Sequence, residues 1–439
     1  MATRIPSELI DAIVEHIPDD ASLRSCCLAA SIFRSPCQKR LFHSLSLHLP
    51  SGGGTSDRKP FHALAKRFEE NPHLASLVKH LSLYFPAIRR PIFFGTVGDP
   101  TVYRSDPPRP ELYHQSGTVD VVRAVFKHLE NVEQVHIGSS GGDSWNALPL
   151  QLEPVVLDWL IRCGNNRNLS QLTIQGINDI PEAALPILLH AARVLFLWSC
   201  ELEPKAQLED SESICRVALQ APANLKQLEI DGSRSTLVRS TAPGAKDLVS
   251  HLTYLSLVTF EIHRDFFESL VKLCACSSET LECLQLWIMR GINAEHKALV
   301  ESQFTKTLPH LQHFMMHSGL PSSPDHDLWI LQTIISPVVA PSLTKITVIL
   351  SKEEADPAGD NALGRFRFDR DATWALRALY DEFAAGHPTL QQICWHPRMY
   401  RYGQPEEEER RDFDEFCAGM RAAMPRAHAK GLLGFERAF

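Results

Sequence analysis

The chain has 439 residues, of which 44% are hydrophobic and 22% charged, and its formal net charge is −8 at neutral pH. At roughly 100–200 residues per domain it has room for two or three domains. The acidic, well-mixed charge excludes the basic stripe that a nucleic-acid binder uses to displace counterions from phosphates.

In chain order, the first stretch is helical. Pro6 suits a first helical turn, and Leu9, Ile10, Ile13 and Ile17 form one apolar stripe behind it. Pro18-Asp19-Asp20 ends that helix and supplies capping oxygens for the next, in which Leu23, Cys26, Cys27 and Ala30 recur at i, i+3, i+4 and i+7. Ser35-Pro36 is expected to open a third short helix leading to Leu41-Phe42. Three such helices bury little surface by themselves and need a partner. The adjacent Cys26 and Cys27 read as core residues, because neighbouring helical positions are poorly placed for a disulfide.

Residues 51–60, SGGGTSDRKP, read as a loop that lacks the Lys-Ser/Thr of a phosphate cradle. Residues 86–116, rich in Pro and Arg, read as an insertion, and residues 351–364 as a second loop. Between these runs one pattern recurs, apolar-x-x-apolar-x-apolar. It appears as Val78-Leu81-Leu83, Val132-Val135-Ile137, Leu169-Leu172-Ile174, Ala192-Leu195-Leu197 and Leu225-Leu228-Ile230. It continues as Leu252-Leu255-Leu257, Leu281-Leu284-Leu286, Leu311-Phe314-Met316, Leu343-Ile346-Val348 and Leu390-Ile393-Trp395.

From Ile174 to Val348 the last residues of successive copies stand 23, 33, 27, 29, 30 and 32 positions apart, the spacing of an array of supersecondary units. The closing L-x-L puts both apolar side chains on one face of a short strand. One-sided helices are expected between the strands, in VDVVRAVFKHL from Val119, LEPVVLDWLIRC from Leu152, RDFFESLVKLCA around Phe266 to Cys274, and TWALRALYDEFAA from Thr373. Ala184 to Cys200 is too short and too interrupted by Pro186, His190 and Arg193 for a membrane span; it reads as a helix end, a turn and a buried strand. The run EEEERRDFDEF from Glu406 is expected to form a solvated capping helix.

Two resemblances follow from these residues. The repeats resemble a leucine-rich repeat solenoid over about residues 74–397, although only Leu195-x-Leu197-x-x-Cys200 matches the tail of that motif. Irregular repeats are therefore expected, with turn hydrogen bonds met differently in each. A doubly wound sheet has similar alternation, but its central strands would be continuous apolar runs. Here Thr173, Glu229, Ser256 and Gln285 sit between the apolar positions.

The order Ile5-Pro6-x-Glu8-Leu9-x-x-x-Ile13, Leu23-x-x-Cys26-x-Leu28, Phe33, Leu41-Phe42 resembles an F-box, in the divergent F-box-like form common in fungal proteins. An incidental helical cap is the alternative. The resemblance implies that Ile5, Pro6, Leu9, Ile10 and Ile13 face a Skp-type adaptor, and through it a cullin, with Leu23, Leu28 and Phe33 supporting that surface. The chain departs from the family at Ala29-Ala30-Ser31, where Val-Cys-Arg is usual.

The expected fold is thus α/β, an N-terminal three-helix F-box-like module followed by an irregular leucine-rich repeat solenoid. The corresponding segments are an adaptor-binding module (1–48), a loop-rich junction with the first repeat (49–128), a substrate-binding solenoid (129–397) and a C-terminal capping segment (398–439). Glu229, Tyr254, Gln285, Trp287 and Met315, alternating with the buried positions, are the candidates for holding an unidentified protein substrate, since aromatic anchors dominate interfaces. The alternative is that inter-repeat packing or the C-terminal segment covers them.

No H-E-x-x-H and no G-x-x-x-x-G-K-S/T is found, and G-x-S-x-G occurs only as the Gly/Ser run Gly138-Ser139-Ser140-Gly141-Gly142. Cys274-Ala275-Cys276 reads as helix-face packing. His310, His313 and His317 read as strand flanks, without the carboxylate or thiol that would complete a metal set. No cofactor, metal, nucleic acid or membrane is expected. The eleven irregularly spaced cysteines and the start MATRIPSELIDAI, unlike a signal peptide, point to a reducing compartment, cytoplasmic or nuclear.

The expected role is the substrate-recognition subunit of a Skp-cullin-F-box ubiquitin ligase, without catalytic residues of its own. The alternatives are a repeat-based interaction scaffold uncoupled from ubiquitin transfer, and an α/β enzyme such as a hydrolase.

Overall fold

The computed structural model describes residues 5–49, 59–85, 116–145, 152–203, 222–232, 234–242, 244–259, 264–288, 298, 307–319, 330–351, 378, 380–397 and 406–437. The expected insertion at 86–116 falls outside these residues except for Ser116, as do the loop at 351–364 apart from Ser351 and the start of the helix expected from Thr373. The chain divides into two compact units, Met1–Asn224 and Leu225–Phe439.

The first unit opens with helices α1 (Ser7–Glu15), α2 (Asp20–Ala29) and α3 (Ser31–His43). Pro6 occupies the N-cap of α1 with extended backbone. The Asp19 carboxylate caps α2, accepting the Ser22 N–H at 2.8 Å, which satisfies one of the donors a helix start leaves open. Ala30, extended at φ −154° and ψ 145°, separates α2 from α3. The third helix therefore starts four residues earlier than Ser35-Pro36 suggested, and Pro36 lies inside it. The ring there costs one backbone bond, to the Ile32 carbonyl, close enough to the open end of the helix for the first turn to hold.

The apolar stripe of α1 is split. Ile10 and Val14 turn inward, whereas Ile5, Leu9 and Ile13 are exposed. Val14, Leu23 and Cys37 form a small core, against which Ile17, Cys26, Cys27, Phe33 and Leu41 pack. Arg40 ties α3 to α1 by donating a hydrogen bond to the Val14 carbonyl.

Strand β1 (Ser44–His48) follows α3 directly, within the segment assigned to the helical module. It pairs in parallel with β2 (His80–Tyr84), which pairs with β3 (Gln134–Ser144), then β4 (Gln171–Asn178) and β5 (Val194–Trp198). Helices α4 (Lys59–Glu70), α5 (Pro72–Ser76), α6 (Ser116–His128), α7 (Leu152–Asn166) and α8 (Ala184–Ala191) lie between the strands in sequence. α4 neighbours α6, α6 neighbours α7 and α7 neighbours α8. Residues 59 and 60, expected in a loop, begin α4. The apolar run at 184–200 resolves into α8 and β5, as its interruptions implied.

The second unit repeats the scheme. β6 (Gln227–Asp231), β7 (Tyr254–Thr259), β8 (Cys283–Ile288), β9 (His313–Gly319), β10 (Lys345–Ser351), β11 (Gln392–Pro397) and β12 (Leu433–Phe435) are parallel and neighbour one another in chain order. Between or after them lie α9 (Arg234–Ser240), α10 (Lys246–Val249), α11 (Arg264–Cys276), α12 (Glu406–Ala423) and α13 (Pro425–Ala429). Neither unit shows the reversal of strand order that marks a doubly wound sheet. The C-terminal run is more than a solvated helix: α12 buries Phe416, Cys417 and Met420, and β12 extends the pairing beyond β11.

All ten apolar triplets read from the sequence are buried, from Val78-Leu81-Leu83 to Leu390-Ile393-Trp395. They stand in register: Leu228, Leu255, Leu284, Phe314, Ile346 and Ile393 are successive partners across β6 to β11. Where the chain enters the strands one backbone arrangement recurs, in which the carbonyl just before a strand accepts two N–H groups from the next repeat. Lys226 O accepts from Thr253 and Tyr254, Thr253 O from Glu282 and Cys283, Glu282 O from Gln312 and His313, and Gln312 O from Thr344 and Lys345. Side-chain hydroxyls add to it at two of these carbonyls, Thr253 Oγ1 donating to Lys226 O at 3.2 Å and Thr344 Oγ1 to Gln312 O at 3.0 Å.

Candidate functional site

Two surfaces carry the sequence-derived site residues, one in each unit. The first is the outer side of the N-terminal helices. Large apolar side chains are exposed at Ile5 (51%), Leu9 (56%), Ile13 (50%), Leu28 (85%) and Ile32 (49%), and among the described residues the further case is Val338. Leu9 and Ile13, spaced by four, share one face of α1, and Ile5 precedes the helix, before the extended backbone of Pro6. Pro6 is exposed beside them.

The residues of this set divide between surface and core. Ile10 and Leu23 are buried, and Phe33 is half-buried against the Val14–Leu23–Cys37 core. Leu23 and Phe33 thus lie beneath the outer face; Ile10, expected on that face, is buried, and Leu28, expected to support it from beneath, is exposed. The physical reason is the narrow helix stripe: i and i+4 share a face, while Ile10 lies about 100° round from Leu9. Ala29-Ala30-Ser31, the departure from the F-box pattern, falls at the α2–α3 break, where small residues meet the extended backbone of Ala30.

Burial pushes the Cys37 thiol up to about 11, with neighbouring Cys26 adding to the effect. These cysteines are free thiols in the helical core, as their spacing implied.

The second surface is the polar face of β6 to β11, opposite the buried triplets. Tyr254 donates its hydroxyl to Gln285 Oε1 at 2.5 Å, and the Gln285 amide meets His317 Nε2 at 3.1 Å. The His317 ring stacks on Trp287, with centroids 4.3 Å apart and planes 12° from parallel. Tyr254, Gln285, Trp287 and His317 therefore form one connected patch across β7, β8 and β9. Met315, half-buried on β9, is the register partner of Gln285; Glu229 is half-buried on β6 opposite Ser256. Burial is the main reason the Tyr254 phenol is pushed up to about 12, with the charges of Cys283 and Glu229 adding to it.

Further along the same face, His313 Nε2 lies 2.8 Å from Thr347 Oγ1. Burial, then the positive charge of Lys345, pushes the His313 imidazole down to about 4. At the last strands, Cys394 Sγ lies 3.4 Å from His396 Nε2, which is 3.1 Å from Glu436 Oε2. Burial first, then the Glu436 carboxylate, pushes the Cys394 thiol up to about 12. The His396 imidazole is lowered mainly by burial, against the raising effect of Glu436.

Sequence reasoning overlooked Cys394 and Glu436, and took His317 for a strand flank. His317 was legible as the next alternating position after Met315, but Glu436 required knowledge of β12. Cys274, by contrast, is buried on α11, and burial pushes its thiol up to about 12, in keeping with packing.

No family model and no curated protein sequence matches this chain. Among the described residues, no helix is long and apolar enough to cross a membrane.

Proposed function

We propose that this protein is the substrate-recognition subunit of a Skp-cullin-F-box type ubiquitin ligase, a non-catalytic scaffold built from an F-box-like helical module and an irregular leucine-rich repeat solenoid. The observation that carries the reading is the outer face of the N-terminal helices, where Ile5, Leu9, Ile13, Leu28 and Ile32 remain exposed although an inner core has formed beneath them. Apolar side chains concentrated in one short module signal a surface that a partner covers. Ile5, Leu9, Ile13 and Leu28 are positions of the F-box resemblance.

The solenoid reading is supported by the chain-order pairing of parallel strands, the in-register apolar triplets and the recurring turn bond. Cys200, at the family's Asn/Cys position, donates its thiol to the Ile174 carbonyl of the adjacent strand at 3.3 Å. That is the turn-bonding role such a position has in the repeats it resembles.

In this reading the helices dock on the Skp-type adaptor, and Tyr254, Gln285, Trp287, Met315 and Glu229 hold a protein substrate. Ubiquitin transfer is done by a separate enzyme, and the scaffold contributes proximity, as a high effective concentration of substrate lysines. The competing scaffold reading, in which the helices fold back on the repeats, needs Leu9, Ile10 and Ile13 covered; Leu9 and Ile13 are exposed, and Ile10 is buried.

The test is co-purification of the full chain with a Skp-type adaptor. Wild type is expected to recover the adaptor at equal stoichiometry. Leu9→Asp combined with Ile13→Asp, both at exposed sites and so compatible with folding, is expected to lose it. Folded, monomeric wild-type protein that recovers no adaptor overturns the proposal.

A further inference from the structure

Among the described residues, one group brings together three different metal-ligating side chains: Cys394, His396 and Glu436, whose ligand atoms all lie within 4.8 Å of one another. Cys394 and His396 are two positions apart on β11, so both project from the same side of the strand. Glu436 follows β12, the strand paired with β11.

The spacings match a tetrahedral ion. With Zn–S near 2.3 Å, Zn–N near 2.05 Å and Zn–O near 2.1 Å, the ligand-to-ligand edges come to about 3.6 Å for S···N and about 3.4 Å for N···O. The observed edges are 3.4 Å from Cys394 Sγ to His396 Nε2 and 3.1 Å from His396 Nε2 to Glu436 Oε2. A shift of a few tenths of an ångström seats the ion.

Gly434 is the register partner of Cys394, and a Cβ built there would meet the sulfur at 3.5 Å, an ordinary contact, and the end of the flexible Gln392 side chain at 2.6 Å. The other charged neighbour is Lys345, whose ammonium lies 3.9 Å from Glu436 Oε1. Thiolate and carboxylate together balance a divalent ion, and the lysine remains as an outer partner of the carboxylate.

We infer that Cys394, His396 and Glu436 form a zinc site with a fourth position open to water, which fastens the short terminal strand β12 to β11. A thiolate, an imidazole and a carboxylate make a donor set of the borderline softness that zinc favours. The role is structural: β12 pairs with β11 at only three register positions, with the His396–Glu436 contact beside them, and a metal bond across the pair would secure it further. This inference stands apart from the ligase reading and needs neither adaptor nor substrate.

The test uses the full chain, reduced, stripped with chelator and reloaded with Zn²⁺ or Co²⁺. Wild type is expected to take up about one ion per chain, to show a thiolate-to-cobalt charge-transfer band, and to melt at a higher temperature when zinc is added. Cys394→Ser should abolish the band. Glu436→Gln, at a more exposed site and so safe for folding, should weaken zinc binding by at least about tenfold and remove the zinc-dependent gain in melting temperature. Cys276→Ser, remote on α11, should leave both readouts unchanged. The inference is overturned if wild type binds no stoichiometric ion, if the band survives Cys394→Ser, or if Glu436→Gln binds zinc as tightly as wild type. In those cases the three side chains are only a hydrogen-bonded cluster.

Discussion

The N-terminal helices and the repeated strands use apolar residues in opposite ways. In the strands, each predicted triplet is buried and stands in register with its neighbours, so a leucine there has one place to go. In the helices, a core of Val14, Leu23 and Cys37 is accompanied by Leu9, Ile13 and Leu28 left in solvent. The difference shows that apolar periodicity has two meanings. Where many elements stack, it describes the core, whereas in three short helices it exceeds what they can bury and leaves apolar side chains in solvent, the surface that the proposed function assigns to a partner.

The sharpest way to break this comparison is to truncate one leucine of each kind. Leu284→Ala, in the centre of the β8 ladder, is expected to cost about 2–5 kcal/mol in urea unfolding, because the neighbours cannot collapse into the space left. Leu28→Ala, on the helix surface, is expected to change stability by less than about 0.5 kcal/mol. Similar costs at the two sites would show that the exposed residues are part of a core after all.

Leu23→Ala tests the helical core itself. It should lower the local stability of α1 to α3 by about 2 kcal/mol, read as faster amide exchange in those helices, with β7 to β9 still protected. Uniform loss of protection across both regions would mean that the helices and the strands unfold as one cooperative body.

The smallest expected effect is on pH dependence. His313 titrates at about 4 in the folded chain, below its ordinary value of 6.5. Between those values the unfolded chain binds the extra proton, so stability falls as pH drops through the window and is unaffected by this group above it. After allowance for solvent screening the loss is on the order of 1 to 2 kcal/mol. Urea midpoints measured from pH 7.5 to 4 should fall less steeply for His313→Gln. An unchanged slope would place the acid sensitivity elsewhere.

The sequence by itself determined the repeated triplets, the strands they form and most helices between them, because period-2 and period-3.6 apolar patterns are local and each copy carries its own. It also singled out the residues of the N-terminal surface, but not which of them face outward. Ile10 and Leu9 are adjacent in the chain and are separated only by the rotation of α1 over the Val14–Leu23–Cys37 core. The start of α3 at Ser31 was hidden for a related reason: Ala30 carries no turn signature, and Pro36 resembles a helix start when it lies within one. Only the tertiary structure decided the stack of Trp287 on His317 and the meeting of Cys394 and His396 with Glu436. Trp287 and His317 lie on different strands, and the position of Glu436 depends on a three-residue strand, Leu433–Phe435, too short to have a period of its own. Register between strands brings such groups together, and register comes from the ladder as a whole, not from any one copy.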